Sequence, residues 1–170
     1  MKIGVVSDTH DRVEITQTAI RLLCERGAEL ILHCGDIESA ETVRLFREVP
    51  THFVFGNWDK DHRRLLAAIA DVGGRWHEDY GWLELAGKSV AWLHGHVRGQ
   101  RAELEQNGAF DYVFYGHSHH AEAHRTNGTL VLNPGALHRA RPKTVALVDV
   151  ATGEWEFVEV PRPSEQLDCR

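Results

Sequence analysis

Lys2-Ile3-Gly4-Val5-Val6-Ser7-Asp8-Thr9-His10 decides how the chain reads. Ile3–Ser7 is short, apolar and rich in β-branched residues, which predicts a strand buried on both faces. It stops abruptly in Asp8-Thr9-His10, two groups able to hold a cation separated by one residue. The same grammar recurs downstream. Leu30–Cys34 reads as a strand and runs into Gly35-Asp36. Thr51–Phe55 runs into Gly56-Asn57-Trp58-Asp59. Ser89–Leu93 runs into His94-Gly95-His96, and Asp111–Tyr115 into Gly116-His117-Ser118-His119-His120. In open α/β sheets, ligands bind beyond the carboxyl ends of the strands. These five strand ends would deliver carboxylates, a carboxamide and imidazoles to one edge.

Helices fill the gaps in the first half. Val13–Arg26 places Ala19, Leu22 and Leu23 on one face and stops at Gly27. Ser39 caps a helix to Glu48, and Lys60–Asp71 carries Leu65, Leu66 and Ile69 as its apolar stripe before Gly73-Gly74. Strand and helix alternating over short connections predict right-handed crossovers and a parallel sheet. The second half changes pattern. Trp82–Ala86 and Ser89–Leu93 flank Gly87-Lys88, and Ala121–Thr126 and Thr129–Asn133 flank Asn127-Gly128; both read as hairpins. Val97–Asn107 reads as a polar helix, and Thr144–Val150 with Glu154–Val160 as a further strand pair. The expected fold class is α/β, with mixed sheets packed face to face and helices outside. One domain over residues 1–160 is expected, followed by a frayed, Pro-containing tail over 161–170.

Composition narrows the functions. The chain has 170 residues, 19 Lys+Arg against 25 Asp+Glu, and a formal net charge of −6. Long nucleic acid is therefore an unsuitable partner, because such binding needs clustered cations. Apolar runs are too short for a membrane span of about 18 residues. The start lacks the apolar stretch of a secretory signal. Cys24, Cys34 and Cys169 share no metal or redox spacing, which suits the reducing cytoplasm. Histidine is the outlier at 12 residues, four of them between His117 and His124.

Carboxylates and imidazoles gathered at one edge would repel or protonate unless cations held them. Oxygen and imidazole nitrogen without thiolate suit two divalent transition-metal ions, Mn first, with Fe, Zn, Ni or Co as alternatives. The ligand number exceeds one tetrahedral ion and fits a pair sharing a carboxylate. Trp76, Trp82, Trp92 and Trp155 read as core or interface residues rather than base-stacking platforms.

The five strand-end blocks resemble those of the calcineurin-like metallophosphoesterase family, and with Asn133-Pro134-Gly135 they are similar to its small prokaryotic phosphodiesterase branch. The resemblance runs from Met1 to about Val160. It implies a four-layer sandwich of two mixed β-sheets flanked by helices. It implies one ion on Asp8, His10, Asp36 and His119, and a second on Asp36, Asn57, His94 and His117, with Asp36 bridging. It implies hydrolysis by attack of a metal-bridging hydroxide on the phosphorus of a small phosphodiester. The formal charge at such a centre is slightly positive, which complements the single negative charge of a diester. Arg139, Arg141 and Lys143 could supply more cations, though a solvated loop is the plainer reading. Many members have His after the Asn of the third block. This chain has Trp58, which carries no useful acid proton, so His96 and His120 are the candidates for the catalytic acid. The resemblance also covers a docking scaffold of the retromer coat, the alternative to an enzyme, and it implies association into dimers or tetramers.

Overall fold

The computed structural model describes residues 1–161; the tail expected to fray therefore lies, except for Pro161, outside the described residues. In chain order the elements are β1 (Lys2–Val6), α1 (Val13–Glu25), β2 (Leu30–His33), α2 (Ala40–Arg44) with a 3-10 turn over Leu45–Glu48, and β3 (Thr51–Phe53). Then come α3 (His62–Asp71), β4 (Arg75–Trp76), β5 (Tyr80–Leu85), β6 (Lys88–Leu93), α4 (Gln100–Gln106) and β7 (Tyr112–Phe114). β8 (Ala121–Thr126), β9 (Thr129–Pro134), β10 (Thr144–Asp149) and β11 (Trp155–Glu159) complete the fold.

The strands form two mixed sheets, β11-β10-β1-β2-β3-β4 and β5-β6-β7-β9-β8. In the first, β1, β2, β3 and β4 pair in parallel while β10 runs antiparallel to β1. In the second, β6, β7 and β9 are parallel, with β5 and β8 antiparallel at the edges.

Side-chain alternation sets the layers. Ile3, Val5, Leu30 and Leu32 face Val90, Trp92, Tyr112, Phe114, Leu130 and Leu132 in the core between the sheets. The other faces of β1 and β2, with Val6 and Ile31, pack on Ile15, Ala19 and Leu23 of α1 and on Leu65 and Ile69 of α3. Ala91, Leu93, Val113, Tyr115 and Val131, one residue out of step with the inner set, pack on Leu104 of α4. A period of two buries both faces of each central strand. The result is helix, sheet, sheet, helix. Close packing explains Gly4, whose missing Cβ would lie 2.8 Å from Leu23 Cδ1.

Several boundaries differ from expectation. The first hairpin turns at Ala86-Gly87, both with positive φ (50° and 73°), one residue earlier than expected, and its first strand begins at Tyr80. β4 is an added two-residue edge strand, too short for a periodicity to show. α4 begins only at Gln100, because Gly99 at φ 85° breaks the path from Val97. The helix capped by Ser39, whose hydroxyl accepts the Thr42 N–H at 3.2 Å, tightens to 3-10 after Arg44. Of the tryptophans assigned to core or interface, Trp92 is fully buried while Trp82 is 60% exposed on edge strand β5.

Candidate metal centre

All five blocks leave the carboxyl ends of parallel strands β1, β2, β3, β6 and β7, and these ends meet. Asp8 and His94 are buried, as is Asp36. Asp36 sits in the middle. Its Oδ2 lies 3.5 Å from His10 Nε2 and 3.3 Å from His94 Nε2, and its Oδ1 accepts the Trp58 N–H at 2.9 Å. Asp8 Oδ1 lies 3.2 Å from His119 Nε2 and 3.8 Å from His10 Nε2. Asn57 Oδ1 lies 3.2 Å from His94 Nε2. The His117 ring centroid is 5.1 Å from that of His94.

Two sets of ligand atoms each fall within 4.8 Å of one another: Asp8, His10 and His119, and Asp8, Asp36 and His94. Asp8 belongs to both, beside the expectation that Asp36 alone would be shared. The structure thus brings together Asp8, His10, Asp36, Asn57, His94, His117 and His119.

The local backbone is unusual. Asp8 (φ 54°), His10 (41°), Asp36 (57°), His117 (68°) and His119 (61°) all adopt left-handed conformations. Such residues cost about 1–3 kcal/mol each and persist where the surroundings over-determine them. Asp59 supplies much of that restraint. Its carboxylate accepts the N–H groups of Asp36 (2.9 Å), Ile37 (2.7 Å), Glu38 (2.8 Å) and Gly56 (2.7 Å). Asn133 does the same for the last block, donating from Nδ2 to Gly116 O at 2.9 Å and to Ser118 Oγ at 3.0 Å. Gly56 and Gly116 are small by necessity. A Cβ at Gly56 would collide with the Asp36 carboxylate, and one at Gly116 with Ser7 Oγ.

Three of the imidazoles, those of His10, His94 and His119, are oriented by a partner. His10 Nδ1 meets Glu38 Oε1 at 2.7 Å, and His94 Nδ1 meets Cys34 O at 2.8 Å. The His119 ring bonds to the His138 backbone. Metal-binding histidines are held in this way, with the far nitrogen left for the ion. That nitrogen is indeed left: His10 Nε2 and Asp8 Oδ1 are buried and lack any hydrogen-bond partner. His119 Nε2 comes within 3.2 Å of Asp8 Oδ1, a charge contact that leaves this oxygen short of a full hydrogen bond. Buried polar atoms without partners are costly. A divalent cation among these oxygen and nitrogen donors satisfies them at once, so the residues fit a metal centre.

Electrostatics agree. Asp8 is the main cause that raises the His119 pKa, against its burial. Burial works against a proton on His94, but the Asp36 and Asp8 carboxylates outweigh it and raise that pKa as well. For Asp36, burial is outweighed by His94, and its pKa falls. The cluster draws positive charge.

The candidate acids lie at opposite margins. His96 is exposed, with its ring 5.4 Å from that of His94, and it borders a cleft of about 620 Å³ together with Asn57, Phe55, Trp76 and Asp79. His120 is exposed and its Nδ1 bonds to Ser118 O at 2.7 Å. Trp58 is 57% exposed, its ring edge toward His10 at 6.3 Å. Glu38, His33 and His138 were not anticipated. Glu38 follows the Gly-Asp pair by two residues with no pattern to mark it. His33 is fully buried within β2, where its Nδ1 accepts the Gly35 N–H at 3.1 Å and its Nε2 lies 3.3 Å from Thr9 Oγ1. The His138 ring lies 4.7 Å from that of His10, tilted by 50°, and only its place soon after Asn133-Pro134-Gly135 could have drawn notice.

Comparison with known proteins agrees with this geometry. The pattern of the calcineurin-like phosphoesterase superfamily domain matches residues 1–153. A phosphodiesterase of Methanocaldococcus jannaschii is 29% identical over 138 residues, covering 79% of this chain and 83% of that protein. A probable metallophosphoesterase of Methanothermobacter thermautotrophicus is 32% identical over 145 residues, covering 80% and 77%. The solved structure of an archaeal phosphodiesterase superposes with a TM-score of 0.88 at 26% identity, covering 94% of this chain and all of that one.

Proposed function

Since the chain belongs to the calcineurin-like phosphoesterase superfamily, we propose that it hydrolyses small phosphodiesters with two divalent transition-metal ions, Mn first among them. The observation that carries this reading is the pair of buried, unpartnered atoms, Asp8 Oδ1 and His10 Nε2, facing oriented imidazoles. One ion falls to Asp8, His10, Asp36 and His119, the other to Asp36, Asn57, His94 and His117. Bound ions of this kind lower the pKa of water to about 7 and polarise phosphoryl oxygens.

The chain's own groups do the rest. Asp36 reaches both halves of the cluster from a backbone fixed by Asp59. Glu38 and Cys34 O hold the His10 and His94 rings so that their Nε2 atoms face inward. His96 borders the larger cleft beside Asn57 and is placed to hand a proton to the departing alcohol there. Burial, then His94 and His117, lower its pKa, which works against the protonated ring that an acid must start from. His120 is the second candidate, on the other side of His119. A reducing cytoplasm suits Cys24 and Cys34, both free thiols. No helix among the described residues is long and apolar enough to cross a membrane. We place the protein in the cytoplasm, acting on small esters away from membranes and long nucleic acid, as a dimer or tetramer.

Chelator-treated protein should regain turnover of bis(p-nitrophenyl) phosphate as Mn²⁺ is added, and Asp36→Ala should abolish it at any metal concentration. Turnover that resists chelation, or full activity of Asp36→Ala, would overturn the reading. Metal-loaded protein that turns over no ester would favour the docking-scaffold alternative.

A further inference from the structure

The cluster opens between two unlike flanks. On the Asn57 side the cleft carries Glu78 and Asp79, which repel anions. On the His119 side the chain turns through residues 138–143, and His119, His120, Arg139 and Arg141 line a second cleft of about 340 Å³. His138 joins that flank to the metal-binding residues, its ring 4.7 Å from His10 and 6.3 Å from His119. Arg12 joins it too, donating from Nε to His138 Nδ1 at 3.0 Å. Burial chiefly, with the charges of His10, Arg12 and Arg139 adding to it, lowers the His138 pKa to about 4, so its ring is neutral and the positive charge of this flank is that of the arginines.

Six arginines elsewhere, Arg21, Arg26, Arg44, Arg47, Arg64 and Arg101, each have a carboxylate within ion-pair distance. Arg12, Arg139 and Arg141 have none among the described residues. Arg63, Arg75, Arg98 and Arg125 have none there either, so what sets Arg12, Arg139 and Arg141 apart is place: Arg139 and Arg141 line the cleft that His119 borders, and Arg12 holds the His138 ring beside His10. Guanidinium matches phosphate with paired N–H donors.

We propose that Arg12, Arg139 and Arg141 form a subsite for a second, non-reacting phosphate, so that the substrates are nucleotide-type phosphodiesters carrying a terminal phosphate. The inference rests on the phosphodiesterase reading and extends it. It also orients the substrate: the retained, phosphorylated part lies along the arginine flank, and the uncharged leaving group points toward Asn57 and His96. A plain diester leaves the guanidinium groups unused.

The test compares two esters on the full-length, Mn²⁺-loaded protein. One is thymidine 5′-(p-nitrophenyl phosphate); the other is the same ester with an added 3′-phosphate. The 3′-phosphorylated ester should show kcat/KM at least about tenfold higher, the worth of one charge-assisted contact. In R139A/R141A that ratio should fall toward one, while R139K/R141K should keep part of it. Melting temperature confirms that each variant folds. Equal kcat/KM for the two esters in the wild type, or a ratio unchanged in R139A/R141A, overturns the subsite. If neither ester turns over, the hydrolase reading fails separately, and calorimetry then decides the subsite. Thymidine 3′,5′-bisphosphate should bind the wild type more tightly than thymidine 5′-monophosphate, with the preference lost in R139A/R141A. Equal affinities overturn it.

Discussion

Asp59→Asn removes a charge that touches no candidate metal-binding side chain, yet it should loosen the whole centre. In the wild type Oδ1 accepts the Ile37 and Glu38 N–H groups and Oδ2 those of Asp36 and Gly56, all at 2.7–2.9 Å. The carboxamide keeps one oxygen and so serves one pair. Its NH₂ faces the other two donors. Hydrogen bonds to a charged acceptor contribute about 1.5–3 kcal/mol each, so losing two costs about 3–6 kcal/mol. Part of this is offset, because burial already raises the Asp59 pKa and disfavours its charge. A net loss of about 2–4 kcal/mol is expected, which for a chain of this size lowers the melting temperature by about 2–4 °C per kcal/mol. Each pair carries a residue of the centre, Glu38 in one and Asp36 in the other, so Mn²⁺ affinity should also fall about 10–100-fold. Thermal melts of the metal-free protein and Mn²⁺ titration by calorimetry read the two effects. An Asp59→Asn protein that melts and binds Mn²⁺ like the wild type would refute the restraint assigned to this carboxylate.

Burial holds the His33 pKa down at about 3, while the unfolded chain takes that proton near 6.5. The unfolded state therefore binds more protons between those values, and the His33 contribution is intact above pH 6.5 and declines as pH falls toward 3. The stability difference between wild type and His33→Asn should shrink with acid across this window, by up to about 5 kcal/mol; a difference independent of pH would contradict it. His94 and His119 have raised pKa values, so in the metal-free protein each keeps a proton to higher pH than a free imidazole does. Mn²⁺ binding at pH 6.5 should then release protons, read as a calorimetric enthalpy that varies with the buffer's own ionisation enthalpy; no variation would argue against both rings as ligands. Trp58→His should speed esters with poor alkyl leaving groups more than p-nitrophenyl esters, because only the former need a proton donor. An equal effect on both would place the missing acid elsewhere.

The strand ends were legible because two periods were legible. β-branched runs such as Ile3–Val6 marked buried strands, and a polar break after each marked the edge where they stop. The seven residues at those breaks do converge in space. Other features carry no local signal. The left-handed φ of Asp8, Asp36 and His119 is imposed by hydrogen bonds from distant segments, such as the His117 N–H to Asp8 Oδ2. Glu38 and His138 matter through rings they meet only in the folded chain. Trp82 read as a core or interface residue, and sequence could not choose between the two; β5 is an edge strand and the ring lies exposed, which excludes the core. Residues 139–143 read first as a solvated loop and only second as a source of cations; their place beside His119 shows only in three dimensions.

Hydrolysis at this centre requires two cations to meet these side chains. Anomalous diffraction from a crystal grown with Mn²⁺ would locate them directly. Two peaks per chain are predicted, one beside Asp8, His10 and His119 and one beside Asn57, His94 and His117, with Asp36 between them. No peak, or a single peak away from Asp36, would contradict it.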